Sequence, residues 1–542
     1  MLKFQNKTVL VTGSGTGIGQ AITKKFVENG ASAIILGRRK EPLEETAKML
    51  EGIIKEKQSN ATVKIFDGVD VSDEKAVTGM FDSLKSENVN LDVVVNNAGV
   101  SGPVTCFAHA SLDQFRSTVD IHLTGTFWTS VQALKVMKEG AKIITISTFF
   151  AEERPLEQRP YRFRDPYTAS QGAKNRLVEA MSWELTEKGI ISIGTNPGPV
   201  HSDRIYKTVY PKAASEFLRV SGFEDLSPSE VEAANNEIVG LLGEDDETIK
   251  AGIKSAAEKL GKSETTLTNL LDKVKGIAEK IQKNTSTMIP DQQFLSQEQV
   301  ATTVLTLSDD DQAKILNGKI IPGDRVFYPV KSHIRASVPK AEKNNLTGKR
   351  VCIIAADGDE KKISNITTMI EGEGGQVTLE NAEDVDLFIH VTGNVPNFPK
   401  LTELSRDGWD KIVNQFINTP AMITQSALDT FVPDGSDDPR KFKDAKGRIV
   451  IIGPDLPAGK KISGHERAKV EVFRGALRPF ATTINQELSD VLKSNVRVFL
   501  ILPGTVDGKE PNDENIVYTI NYLMSDESQS SSEVIFCPDE TR

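Results

Sequence analysis

Cysteine is scarce: Cys106, Cys352 and Cys537 are the only three in 542 residues. They stand far apart and match no metal-ligand spacing, which argues against a disulfide framework or zinc site, and no metal is expected. Long apolar runs are missing too, so no membrane span is expected. Residues 1–7 lead almost directly into a strand pattern without an apolar leader core, and the expected location is cytoplasmic. Basic residues are outnumbered, 65 Lys and Arg against 76 Asp and Glu, for a net charge of −11. That balance disfavours a phosphate backbone as ligand, so no nucleic-acid partner is expected. The 38% hydrophobic fraction supports folded domains, and the length suits roughly two to four of them.

Short β-branched runs at 8–11, 33–36, 63–66, 91–95, 142–146 and 190–193 alternate with helical patterns. This predicts an α/β fold, a doubly wound parallel sheet of Rossmann type. After Pro197-Gly198-Pro199 the pattern breaks, and 205–290 reads as a helical insert rich in Glu, Lys and Ala. Its charge clusters, Glu244-Asp245-Asp246-Glu247 and the lysines of 273–283, read as solvated helix faces. A lid over substrate is the alternative, because the insert leaves at the carboxyl ends of the strands, where open α/β sheets bind ligands. A helix at 296–307 and a strand at 319–321 complete a first domain, 1–328; 329–345 reads as a linker.

Residues 346–542 repeat the first unit. Asp92-Val93-Val94-Val95 aligns with Asp386-Leu387-Phe388-Ile389, and Gly99 with Gly393. Gln171-Gly172-Ala173 falls on Arg474-Gly475-Ala476, Glu184-Leu185 on Glu487-Leu488, and Pro197-Gly198 on Pro503-Gly504. The chain reads as a tandem of one fold whose second copy is degenerate: after Ile354 it carries Ala355-Ala356-Asp357-Gly358-Asp359-Glu360, whose acids would repel a pyrophosphate.

Between the first strand and first helix lies Thr12-Gly13-Ser14-Gly15-Thr16-Gly17-Ile18-Gly19. Glycines there permit a tight turn and let backbone N–H groups approach a pyrophosphate at the helix N-terminus. The second strand ends at Gly37-Arg38-Arg39 with no acidic acceptor for a ribose 2′-hydroxyl. Arginines suit a 2′-phosphate, so NADP(H) is the expected cofactor, the alternative being that both are exposed helix-start residues.

Over residues 7–325 these features resemble the short-chain dehydrogenase/reductase family. Asp70-Val71 resembles its adenine contact, and Asn96-Asn97-Ala98-Gly99 its motif after the fourth strand. Pro197-Gly198-Pro199-Val200 with Ser202 resembles its nicotinamide-contacting segment. The resemblance implies hydride transfer between nicotinamide and a carbonyl or alcohol by an Asn, a Ser, a Tyr acid and a Lys four residues after the Tyr. Here Ser147-Thr148 and Tyr167 are in place, whereas Gln171 stands at the lysine position and His122 at the asparagine position. Lys174 lies seven residues after Tyr167, one helical turn beyond Gln171, where its stem can lean toward the site. His122 reads equally as a proton relay or as a packed helix residue. A phenol keeps its proton at neutral pH, so loss of the lysine favours reduction over alcohol oxidation.

Arg154, Arg159, Arg162 and Arg164 lie between Thr148 and Tyr167, in a stretch longer than the family pattern. Arginine pairs bidentately with carboxylate, which suggests a small acidic or CoA-linked substrate; a solvated loop with Arg–Glu pairs is the alternative. The tandem arrangement, the Ser147-Thr148-Phe149-Phe150 run after the fifth strand and the run from Pro197 to Ile205 together resemble the reductase half of the bifunctional malonyl-CoA reductases, implying an NADPH-dependent carbonyl reductase acting on a malonate semialdehyde-like oxo acid. In the second unit Val470 and Arg474 fall at the Tyr and Lys positions, so that unit is expected to be noncatalytic, a built-in substitute for a dimer partner, with homodimerisation of the whole chain a further possibility. A different class stays open: an NADP(H)-binding pseudoenzyme or sensor.

Overall fold

The structure, a computed structural model, describes all residues except 1, 150–161, 201–205, 207–208, 288, 324–343, 357–358, 380–383, 433–437, 457–463, 505–512, 531–533 and 538–542. Seven strands form the first sheet: β1 (Thr8–Thr12), β2 (Ser32–Gly37), β3 (Val63–Asp67), β4 (Leu91–Asn96), β5 (Met137–Ile146), β6 (Ile191–Pro197) and β7 (Ile320–Gly323). All pair in parallel in the order β3-β2-β1-β4-β5-β6-β7. Their continuous apolar runs follow from burial on both faces, as at Val93, Val94 and Val95, each at most 1% exposed. The order reverses between β1 and β4, which opens a crevice at the carboxyl ends of those strands.

Six further strands form the second sheet: β8 (Arg350–Ala355), β9 (Gln376–Thr378), β10 (Leu387–Val391), β11 (Lys446–Ile452), β12 (Asn495–Pro503) and β13 (Val534–Cys537). The order β9-β8-β10-β11-β12-β13 repeats that of the first sheet without a counterpart of β3 among the described residues. The likeness extends to irregularities: a π-helical turn interrupts the helix after β4 at Asp120–Thr124, and another follows β10 at Asn414–Asn418.

The two units meet along the helices Asp165–Leu185 and Gly464–Gln486, which the repeat makes equivalent. They approach closely because each carries glycine at the crossing; a Cβ on Gly172 would sit 2.1 Å from the carbonyl oxygen of Gly475. Buried carboxylates are exchanged across the joint. Glu184 accepts from Leu401 N (2.6 Å) and Thr402 N (2.9 Å) of the second unit, and Glu487 from Phe107 N (2.8 Å) and Phe163 N (2.6 Å) of the first. This is the isologous pattern of a two-fold dimer, realised within one chain.

Four helices, Tyr210–Ser221, Pro228–Ile238, Asp246–Leu260 and Glu264–Ser286, make up the insert. Ser227, Asp245 and Ser263 cap three of them. They enclose an apolar cluster of their own, including Leu218, Val231, Ile253, Leu267 and Leu270. Glu244 to Glu247 and Lys273, Lys275, Lys280 and Lys283 are exposed, in line with solvated faces. Among the described residues no helix is long and apolar enough to cross a membrane, and no group of three or more His, Cys, Asp or Glu is placed to hold a metal.

Candidate functional site

A cleft of about 980 Å³ opens at the crevice between β1 and β4. Gly13 and Gly17 turn the loop below it through left-handed φ of +64°, where a side chain would be strained. The loop is braced from β4: Asn97 Nδ2 donates to Thr12 O (3.0 Å), and Thr12 Oγ1 accepts from Asn97 N and Ala98 N (2.9 Å each). Gly13, Thr16, Gly17, Ile18, Gly19, Asn97, Ala98 and Gly99 all line the cleft. Ser14 does not. It is buried, and its hydroxyl accepts from Leu36 N (2.9 Å), which fastens the loop to β2.

Arg38 and Arg39 follow β2 on the rim, exposed and lining the cleft. Asp70 lies beside them, 3.7 Å from an Arg38 nitrogen, with its other oxygen on Ser72. Val71 lines the cleft wall and packs against Gly125, just past the π-helical turn. On the far side Pro197, Gly198 and Val200 complete the wall; Val200 is bridged to Leu295. Ser202 lies outside the described residues, as do Arg154 and Arg159.

Tyr167, Ser147, Thr148, Gln171, Lys174 and His122 converge on the same cleft. Ser147 Oγ donates to Gln171 O (3.1 Å), tying the end of β5 to the tyrosine helix. Lys174 is 1% exposed and donates from Nζ to Ile146 O (2.6 Å); burial pushes its ammonium down to about 7. Gln171 Nε2 lies 3.5 Å from His122 Nδ1, while its Oε1 is buried without a hydrogen-bond partner among the described residues. His122 Nε2 reaches Val100 O (2.9 Å), and its ring meets that of Tyr167 edge-on at 5.2 Å. The π-helical turn is what swings His122 inward, a common placement of such turns at working sites.

The two described arginines of the long stretch part company. Arg164 is 5% exposed, donates to Ser101 O (2.6 Å) and lies 4.0 Å over the Tyr167 ring, inside the cleft. Arg162 instead pairs with Asp490 of the second unit (2.8 Å) and is not among the described residues that line the cleft. Phe163 between them has φ +69°, and this left-handed turn sends its neighbours in different directions. Lining residues without a sequence signal include Val209, Tyr210 and Thr285 from the insert, and Gln297. Burial pushes the Tyr210 phenol up to about 12, with Thr285 hydrogen-bonded beside it.

In the second unit the position of Gln171 is taken by Arg474. Arg474, 1% exposed, donates to Pro454 O at the end of β11 (2.6 and 2.8 Å) and to Pro503 O at the end of β12. Its guanidinium thus ties together the ends of β11 and β12.

A short chain dehydrogenase family model matches residues 7–210. The 3alpha-hydroxysteroid dehydrogenase of Mediterraneibacter gnavus is 30% identical over 206 residues, 38% of this chain and 78% of that protein. The uncharacterized oxidoreductase YxbG of Bacillus subtilis is 30% identical over 208 residues, 38% of this chain and 71% of that protein. In fold the whole chain is similar to the C-domain with NADP of a bacterial malonyl-CoA reductase (TM-score 0.73, 16% identity, 99% of each chain). The N-domain with NADP of such a reductase is similar as well (TM-score 0.69, 15% identity, 99% of this chain and 98% of that one). The repeated parallel sheets, the glycine loop after β1 and the match to these relatives establish that the chain belongs to the short-chain dehydrogenase/reductase family, in a tandem form.

Proposed function

We propose that this oxidoreductase is an NADPH-dependent carbonyl reductase acting on a short oxo acid or a CoA-linked carbonyl, with malonate semialdehyde as the reference substrate. The observation that carries the reading is the meeting, in one cleft, of the glycine loop, the Arg38–Arg39 rim, Tyr167 and Arg164. The cleft fits the cofactor on its own chemistry: two guanidinium groups suit a 2′-phosphate, and the buried, unpartnered Oε1 of Gln171 suits a ribose hydroxyl donor. When bound, NADPH supplies the hydride.

The chain's own groups do the rest. As the carbonyl carbon gains the hydride and its π electrons move to oxygen, the Tyr167 hydroxyl gives that oxygen its proton and is later reprotonated from solvent. Thr148 is the hydroxyl we assign to orient the carbonyl, because Ser147 is engaged by the helix backbone. Arg164 receives the substrate carboxylate, and Lys174, whose Nζ donates to Ile146 O beside the cleft, takes the place of the missing lysine. We further assign 1–328 to the reductase unit, 329–345 to the linker and 346–542 to a noncatalytic partner unit, a reading supported by Arg474, buried and bonded to strand-end carbonyls, at the position of Gln171.

The test is NADPH oxidation with malonate semialdehyde and a panel of 3-oxo acids and acyl-CoAs, comparing wild type with Tyr167→Phe. Turnover lost in the variant supports the mechanism. The Gln171 and His122 replacements favour a second reading, an NADP(H)-binding pseudoenzyme, and NADPH binding without turnover on any substrate would select it.

A further inference from the structure

We propose that Glu487, in the second unit, is a positioning residue for substrate recognition: it holds the turn that directs Arg164 onto Tyr167. Phe163 precedes Arg164, and a bulky residue rarely keeps a left-handed φ of +69° unless its surroundings enforce it. The enforcement is visible. Phe163 N donates to Glu487 Oε1 (2.6 Å), Phe163 O accepts from Thr105 N (3.0 Å), and its ring is 3% exposed. On the preceding residue, Arg162 pairs with Asp490, one turn along from Glu487. The second oxygen of Glu487 accepts from Phe107 N (2.8 Å), so a single carboxyl spans two separate segments of the first unit.

In the mirror contact Glu184 grips two successive N–H groups of one turn, Leu401 and Thr402, among the described residues. The link to Phe163 is the part of the joint that bears on the cleft, because it fixes the residue before Arg164.

This inference rests on the reading of Arg164 as carboxylate anchor, and the experiment separates the two. Wild type, Glu487→Gln, Asp490→Asn and Arg164→Gln are compared on malonate semialdehyde and on butanal, which lacks the carboxylate, with NADPH Kd and Tm measured alongside. Glu487→Gln keeps the size but turns an amide donor toward a backbone N–H. It is expected to raise KM for the oxo acid about tenfold, leaving KM for butanal and the NADPH Kd in place; Asp490→Asn gives the same selectivity at about threefold. Should Glu487→Gln fail to fold, Asp490→Asn decides. If Arg164→Gln discriminates between the substrates but the folded second-unit variants change both or neither, the positioning role is overturned and the anchor stands. If Arg164→Gln does not discriminate, both fall.

Discussion

Asparagine in place of Asp165 should stabilise the protein at pH 8.5, and by only about a third as much at pH 5. Asp165 opens the tyrosine helix, is 1% exposed and faces Glu487 across the joint. Burial pushes its carboxyl from 3.8 up to about 7, and burial with the Asp165 charge pushes Glu487 well above the usual carboxylate range. An acid whose folded pKa exceeds its unfolded one holds a proton that the unfolded chain has lost. Its stabilising contribution is therefore full below about pH 4 and is lost as pH rises through 7. A shift of roughly three units corresponds to ~4 kcal/mol at ~1.4 kcal/mol per unit. Removing a negative charge from a first helical turn returns ~0.5 kcal/mol of that. With an unfolding entropy of ~2.1 cal/mol/K per residue, a cooperative transition of 542 residues carries ~1.1 kcal/mol/K, so Asp165→Asn should raise Tm by about 3 °C at pH 8.5. Scanning calorimetry of both proteins at pH 5, 7 and 8.5 reads the difference, to which Glu487, relieved of the Asp165 charge, adds in the same direction. A difference that is flat with pH, or a variant less stable at pH 8.5, would refute the reasoning.

Tyr167→Phe should lower carbonyl reduction by ~10²–10⁴-fold, the usual worth of a general acid, with NADPH affinity unchanged by fluorescence titration. Replacing Arg38 and Arg39 together by alanine should cut the preference for NADPH over NADH by ~10–100-fold, read as the ratio of the two kcat/KM values. Lys174, held near 7 by burial, disfavours the folded state when charged; relative to wild type, Lys174→Met should gain stability as pH falls from 10 to 7 and stay level below, measured from urea midpoints. Trp409→Ala removes a fully buried ring that stacks on Phe127 at 3.7 Å and donates to Thr124, so it should cost ~3–5 kcal/mol in chemical denaturation.

What could be read from sequence was what is decided locally. The glycine loop, the strand periods and the repeat register depend on neighbours in the chain, and β1 to β6 fall where those patterns predict. The cleft side of Tyr167, Gln171 and Lys174 also follows from one helix. The arginines were ambiguous for a physical reason: Arg162 and Arg164 point apart because of one left-handed residue, and what holds it, Glu487, is 324 positions away. Ser14 looked like a loop contact because its hydrogen bond to Leu36 crosses between strands. Tyr210 and Thr285 belong to an insert whose charged periodicity shows only its outer face. The pairing of Glu184 with Glu487 was visible in the repeat, but its meaning needed the joint.

That joint also differs from a true dimer in what it permits. In a symmetric pair every substitution occurs twice and must suit both sides of the axis. Here the equivalents of Trp409 and Phe127 are Phe115 and Ala421, so the aromatic stack on one side of the joint has no twin on the other. Fusion into one chain releases each contact from having to complement itself, so one half can be shaped as a tool and the other as the vice that holds it.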